Sequence, residues 1–105
     1  MDRLRQFQKF RPSTFSGAKD PVVAEDWLSE MDKLYGFFEC TSTEMVAFAV
    51  FMFRGSAEHW WKSTRQILRA RHTVISWEIF LEAFRRQYVL DTAQRKLQSE
   101  FLHLT

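Results

Sequence analysis

The stretch Arg54-Gly55-Ser56-Ala57-Glu58-His59-Trp60-Trp61 decides the fold. An almost wholly apolar run, residues 45–53, precedes it; the glycine interrupts that run, and a new helix carrying two consecutive tryptophans follows. Neighbouring residues on an α-helix point about 100° apart, so Trp60 and Trp61 cannot both face one partner. Both are buried only if other helices flank this one on two sides. That geometry asks for a helical bundle.

Length and composition agree. A chain of 105 residues is one domain, and a domain of this size buries roughly two-thirds of its unfolded surface. Eleven phenylalanines and four tryptophans supply the core, because each large ring removes much area from water. The net charge of +2 implies no polyanionic partner by itself, although residues 1–53 carry −2 and residues 54–105 carry +4. One cysteine, Cys40, excludes an internal disulfide and fits a reducing, cytoplasmic setting. The first residues lack a charged-then-apolar signal pattern and no apolar run is long enough to span a bilayer, so no membrane targeting or crossing is expected.

Outward from the opening stretch, residues 1–19 lack helical periodicity, with Pro12 and Gly17 as breakers. They read as an extended arm that lays Phe7, Phe10 and Phe15 over the lobe formed by residues 20–105, or as a disordered leader. Asp20-Pro21 is a helix start, and Ala24, Trp27, Leu28, Met31, Leu34, Tyr35 and Phe38 make one apolar face over residues 21–38. Thr41-x-x-Glu44 is a capping box opening a second helix, apolar on all sides, that runs to about residue 53. Gly55 suits a left-handed closing position, and Ser56 suits the cap of a third helix. That helix turns Ala57, Trp60, Trp61, Thr64, Ile67 and Leu68 inward and Lys62, Arg65 and Arg69 outward. Ser76 caps a fourth, whose face is Trp77, Phe80, Leu81, Phe84 and Tyr88. Asp91-x-x-Gln94 opens a fifth, with Ala93, Leu97, Phe101 and Leu104 on one side; its apolar stripe reaches the last residues, which predicts that the chain continues. The expected architecture is all-α, a compact bundle of five short helices with an extended N-terminal arm.

Little in the chain supports catalysis. His59, His72, His103 and Cys40 share no metal-ligand spacing, so no metal or cofactor is expected. No nucleophile motif and no glycine-rich phosphate loop occur, and Glu25 and Asp26 sit where helix capping explains them. An enzyme is not expected. Lys62, Arg65, Arg69, Arg71 and His72 could form a basic strip for RNA, joined by Arg3, Arg5, Lys9 and Arg11; a plain solvated face explains the same residues, since glutamates lie close by. The apolar surplus also allows a cleft between the first, second and fourth helices, filled by a short hydrophobic peptide or by the chain's own arm, unless the core consumes every ring.

The residues together resemble a known family, the Gag capsid region of Ty3/gypsy-type LTR retrotransposons. Pro12, Phe15 and Gly17 match its P-x-x-F-x-G; Asp20-Pro21, Ala24, Trp27-Leu28 and Met31 match its D-P-x-x-A-x-x-W-L-x-x-M. Gly55-x-Ala57-x-x-Trp60-Trp61, then Trp77-x-x-Phe80-x-x-x-Phe84-x-x-x-Tyr88 and Phe101-x-x-Leu104, follow in the family's order. The resemblance implies an N-terminal capsid lobe, similar to that of the neuronal protein Arc, whose copies contact one another during assembly and whose groove takes short peptides. Its core would be Trp27, Leu28, Met31, Trp60, Trp61, Trp77, Phe80 and Phe84. Many members place a proline after the motif's tyrosine; here Val89-Leu90 follow, so the fourth helix is expected to run on or to turn differently. Strong dimerisation and RNA packaging belong to a second lobe and a zinc knuckle in that family, and are not carried over to these residues.

Overall fold

The computed structural model describes residues 2–103, with side chains through residue 100. Helices follow in the order α1 (Asp2–Gln8), α2 (Pro21–Phe37), α3 (Ser42–Phe51), α4 (Gly55–Arg71), α5 (Trp77–Arg85), a π-helical stretch (Arg86–Leu90) and α6 (Asp91–His103). The fold is all-α.

Three helix starts follow the chemistry of their caps. The Asp20 carboxylate accepts the Val22 amide at 2.9 Å, and Pro21 follows where its missing N–H costs nothing. Thr41 and Glu44 form a reciprocal capping box: the Glu44 amide donates to the Thr41 hydroxyl at 3.2 Å, and the Thr41 amide donates to the Glu44 carboxylate at 2.9 Å. Ser76 accepts the Ile79 amide at 3.2 Å, while the Trp77 amide donates to the Ser42 hydroxyl at 2.6 Å and ties the start of α5 to the start of α3.

Two expected helix boundaries are corrected, a start and an end. Ser56 caps nothing; its hydroxyl donates to the Ser16 carbonyl at 2.8 Å, because Gly55, at φ +56°, turns the chain so that the serine faces the arm. The second helix stops at Phe51, since Phe53 leaves it for a one-residue parallel bridge with Phe15. In that bridge the Phe15 amide donates to the Met52 carbonyl and the Arg54 amide to the Phe15 carbonyl, each at 2.9 Å. The Arg54 guanidinium closes the end of α3 by donating to the carbonyls of Phe51 and Phe53 at 2.7 and 2.8 Å.

Asp91 likewise opens no new helix. Its backbone is already helical, and its amide donates five residues back to the Arg86 carbonyl. With no proline at 89 or 90 the chain runs from α5 into α6 through wider turns. The wider turns bury Tyr88 and Thr92 while exposing Leu90. Along α6, residues 94–100 are all exposed, Leu97 included; Leu104 and the Phe101 side chain fall outside what is described.

The expected extended arm is a helix over its first part. Seven residues are too few to hold a helix alone in water, so α1 exists through what it touches. Phe7 is fully buried, stacked on Phe48 at 4.9 Å between centroids and next to Tyr35 and Phe38. Arg3 lies over the Phe38 ring, donates to the Glu44 carboxylate at 3.0 Å and also reaches the Glu39 carbonyl. The helix ends at Gln8, and after a turn at residues 9–10 comes Arg11, a non-glycine residue at φ +52°.

The core is one cluster. It joins Phe7 and Phe15 of the arm to Ala24, Trp27, Leu28, Met31 and Tyr35 of α2, to Val46, Phe48 and Ala49 of α3, and to Phe53, Trp61, Trp77, Phe80, Phe84 and Tyr88. Buried polar groups are paired: the Trp27 indole donates to the Ser13 carbonyl at 2.9 Å and the Tyr35 hydroxyl to the Met45 carbonyl at 2.6 Å. Burial pushes the Tyr35 hydroxyl pKa up, keeping it a neutral donor.

Candidate functional site

Two candidate surfaces have to be separated, the seat of the arm and the grooves beside α4. The arm's seat lies among α2, α3 and α5. Phe15 sits 5.1 Å from both Trp27 and Phe84 and edge-on to Tyr88 at 5.0 Å, while Phe7 fills the space between α2 and α3. Phe10 remains 42% exposed and only leans on Phe38. The space between the first, second and fourth expected helices is therefore occupied by residues of the same chain.

Gly17 makes that seat possible. Its φ is +107°, and a Cβ there would stand 2.5 Å from the Ser56 hydroxyl. The segment Phe15-Ser16-Gly17 thus meets Phe53-Arg54-Gly55-Ser56 backbone to backbone, and two motifs far apart in sequence form one junction.

Open surface lies beside α4. A groove of about 480 Å³ runs between α3, α4 and residues 73–75, floored by Val46, Ala47, Val50 and Trp61 and rimmed by Arg65 and Arg69. Trp61, Arg65 and Arg69 follow at four-residue spacing, so one side of α4 delivers all three. No acidic residue lines this groove. Lys62 is exposed one step around the helix, outside it. On the other side of α4, a groove of about 340 Å³ toward α5 includes Trp60, Leu68, Ile79 and Arg86. Ile67, expected inside, is 56% exposed there, because α5 covers only the near edge of that side.

Trp27, Leu28, Met31, Trp61, Trp77, Phe80 and Phe84 are buried, whereas Trp60 is half-buried. The adjacent tryptophans do diverge: Trp60 meets Tyr88 at 5.3 Å, Trp61 meets Phe80 at 5.4 Å, and each borders a different groove. A surface missed from the sequence is the outer stripe of α2, where Val22, Val23 and Phe37 are exposed at 61, 52 and 77% alongside Asp26 and Glu30. The two valines, off the predicted apolar face, were the available signal.

Among the described residues, no three His, Cys, Asp or Glu side chains stand close enough to hold a metal. No helix among them is long and apolar enough to cross a membrane. The one free thiol, Cys40, is half-buried, and burial pushes its pKa up, away from the reactive thiolate.

No curated protein and no solved structure matches the chain. A family does match, described as the retrotransposon-derived protein PEG10, N-terminal capsid-like domain, and it covers residues 9–89. That span holds the Phe15–Gly17 segment, the Trp-Trp helix, the Trp77–Tyr88 face and, apart from Asp91, the lining of both grooves, and leaves out α1 and α6. The chain belongs to this family of retrotransposon-derived, Gag-like N-terminal capsid domains.

Proposed function

We propose that this lobe is a self-associating structural domain of a Gag-type protein, acting through contacts between copies rather than through catalysis. Family membership carries the reading. The surface supports it: Val22, Val23, Phe37, Phe51, Ile67 and Val74 are exposed outside the core, on several faces. Contacts between single lobes are weak; tethering or concentrating many copies adds them into a particle, since a linked second contact forms at an effective concentration near the millimolar range. The lobe needs no cofactor, and its setting is the cytoplasm, where one unpaired cysteine stays reduced. Sedimentation velocity over a hundredfold range, from about 10 μM toward 1 mM, tests this. A sedimentation coefficient that rises reversibly with concentration supports self-association, and a constant monomer value contradicts it.

A second reading rests on Lys62, Arg65 and Arg69, exposed on α4 without an ion-pair partner among the described residues. As an RNA contact they would give an affinity that falls steeply with salt, with a shallower slope once all three are replaced by glutamine. A slope unchanged by those substitutions removes the reading. Short peptides remain a third class of ligand for the α3–α4 groove.

A further inference from the structure

We propose that the groove between α3 and α4 receives the outer stripe of α2 from a second copy, so that copies join head to tail. This rests on the self-association proposed above and names the two surfaces that carry it.

Charge and spacing pair the surfaces. The groove has an apolar floor and a rim whose only charged residues are Arg65 and Arg69. The α2 stripe opens with the apolar Val22 and Val23, continues with the acidic Asp26 and Glu30, and ends with Lys33 and Phe37. A helix rises about 1.5 Å per residue, so each charged pair, four residues apart, is separated by about 6 Å along its axis. Two arginines on one helix can therefore meet two carboxylates on another while the valines enter the groove. Neither pair has an ion-pair partner within its own copy among the described residues. The neighbouring carboxylate Glu25, by contrast, is engaged by Arg85 at 3.3 Å.

The same charges disfavour symmetric alternatives. Groove against groove sets arginines against arginines, and stripe against stripe sets two carboxylates against two, a repulsion that the single Lys33 of each stripe offsets only in part. No α2 residue lines the groove, so a head-to-tail pair keeps one free groove on one copy and one free stripe on the other. Such a contact propagates into a ring or a filament instead of stopping at a dimer.

Complementation between charge-reversed variants of the 105-residue chain tests this. Arg65→Glu/Arg69→Glu spoils the groove, and Asp26→Lys/Glu30→Lys spoils the stripe. In sedimentation velocity each variant alone should associate at least about tenfold more weakly than wild type, while an equimolar mixture recovers because each supplies what the other lacks. Melting curves close to wild type confirm that both variants fold. A monomeric wild type overturns self-association and this contact with it. A wild type that associates, with either variant unaffected or with no recovery in the mixture, overturns this contact alone. Loss confined to the arginine variant would point to RNA carried by the arginines instead.

Discussion

The two sides of α4 hold different kinds of information. Its inner side sets two tryptophans against Phe80, Phe84 and Tyr88, and its outer side, along the row that the buried Trp61 begins, carries the exposed Arg65 and Arg69 beside a groove with no acidic lining. Rings buried at van der Waals contact fix stability, because removing one leaves a void that the close-packed core fills only in part. Exposed, unpaired charges contribute little to folding and remain available for a partner. One helix thus separates what holds the lobe together from what the lobe presents, and substitutions on its two sides should fail in different ways.

The largest effects are expected on the inner side. Trp61→Ala should cost about 3–5 kcal/mol, a large share of a small domain's stability, whereas Trp60→Ala, at a half-buried ring, should cost about 2 kcal/mol. Equal losses in urea melts would contradict the unequal burial. Next comes the junction that seats the arm: Gly17→Ala should cost about 2–4 kcal/mol, because it strains a left-handed backbone and displaces the Ser56 hydroxyl from Ser16. A melt within a degree of wild type would show that the junction does not hold. Phe7→Ala should cost less than its full burial implies, about 2 kcal/mol, since α1 can undock while the rest of the lobe stays folded. Hydrogen exchange would then rise in α1 and stay low at the Phe15 and Arg54 amides.

The clasp on α1 also titrates. The ion-paired hydrogen bond from Arg3, followed by the Thr41 amide, lowers Glu44 from 4.5 to about 2. A carboxylate with a depressed folded value stabilises fully above its unfolded value, and that contribution is lost as the pH falls from about 4.5 toward 2. Glu44→Gln should remove this part of the acid sensitivity in melts taken across that window. The smallest effect lies on the outer side, where Arg65→Glu/Arg69→Glu should leave folding stability within about 0.5 kcal/mol while changing association.

Most of the inner side was legible because burial follows periodicity. Trp27, Leu28, Met31 and Tyr35 recur at helical spacing, and Trp77, Phe80, Phe84 and Tyr88 do the same. Local chemistry misled where a tertiary contact took the side chain. Ser56 after a glycine reads as a cap, yet Ser16 claims its hydroxyl. Asp91-x-x-Gln94 reads as a start, yet the helix before it never stops. Leu4 and Phe7 stand three apart, but α1 forms only because Phe48 and Glu44 receive it. The outer side was harder to read. Spacing marked Lys62, Arg65 and Arg69 as exposed, but which of them border a groove depends on how α3 and residues 73–75 lie against α4. The α2 stripe escaped notice because capping already explained its first acidic residues.

Whether the outer faces join copies is decided by sedimentation velocity of the wild-type lobe across concentration. Joining copies raises the weight-average sedimentation coefficient reversibly with concentration, a rise lost on dilution. A single monomeric coefficient from about 10 μM to 1 mM would contradict it.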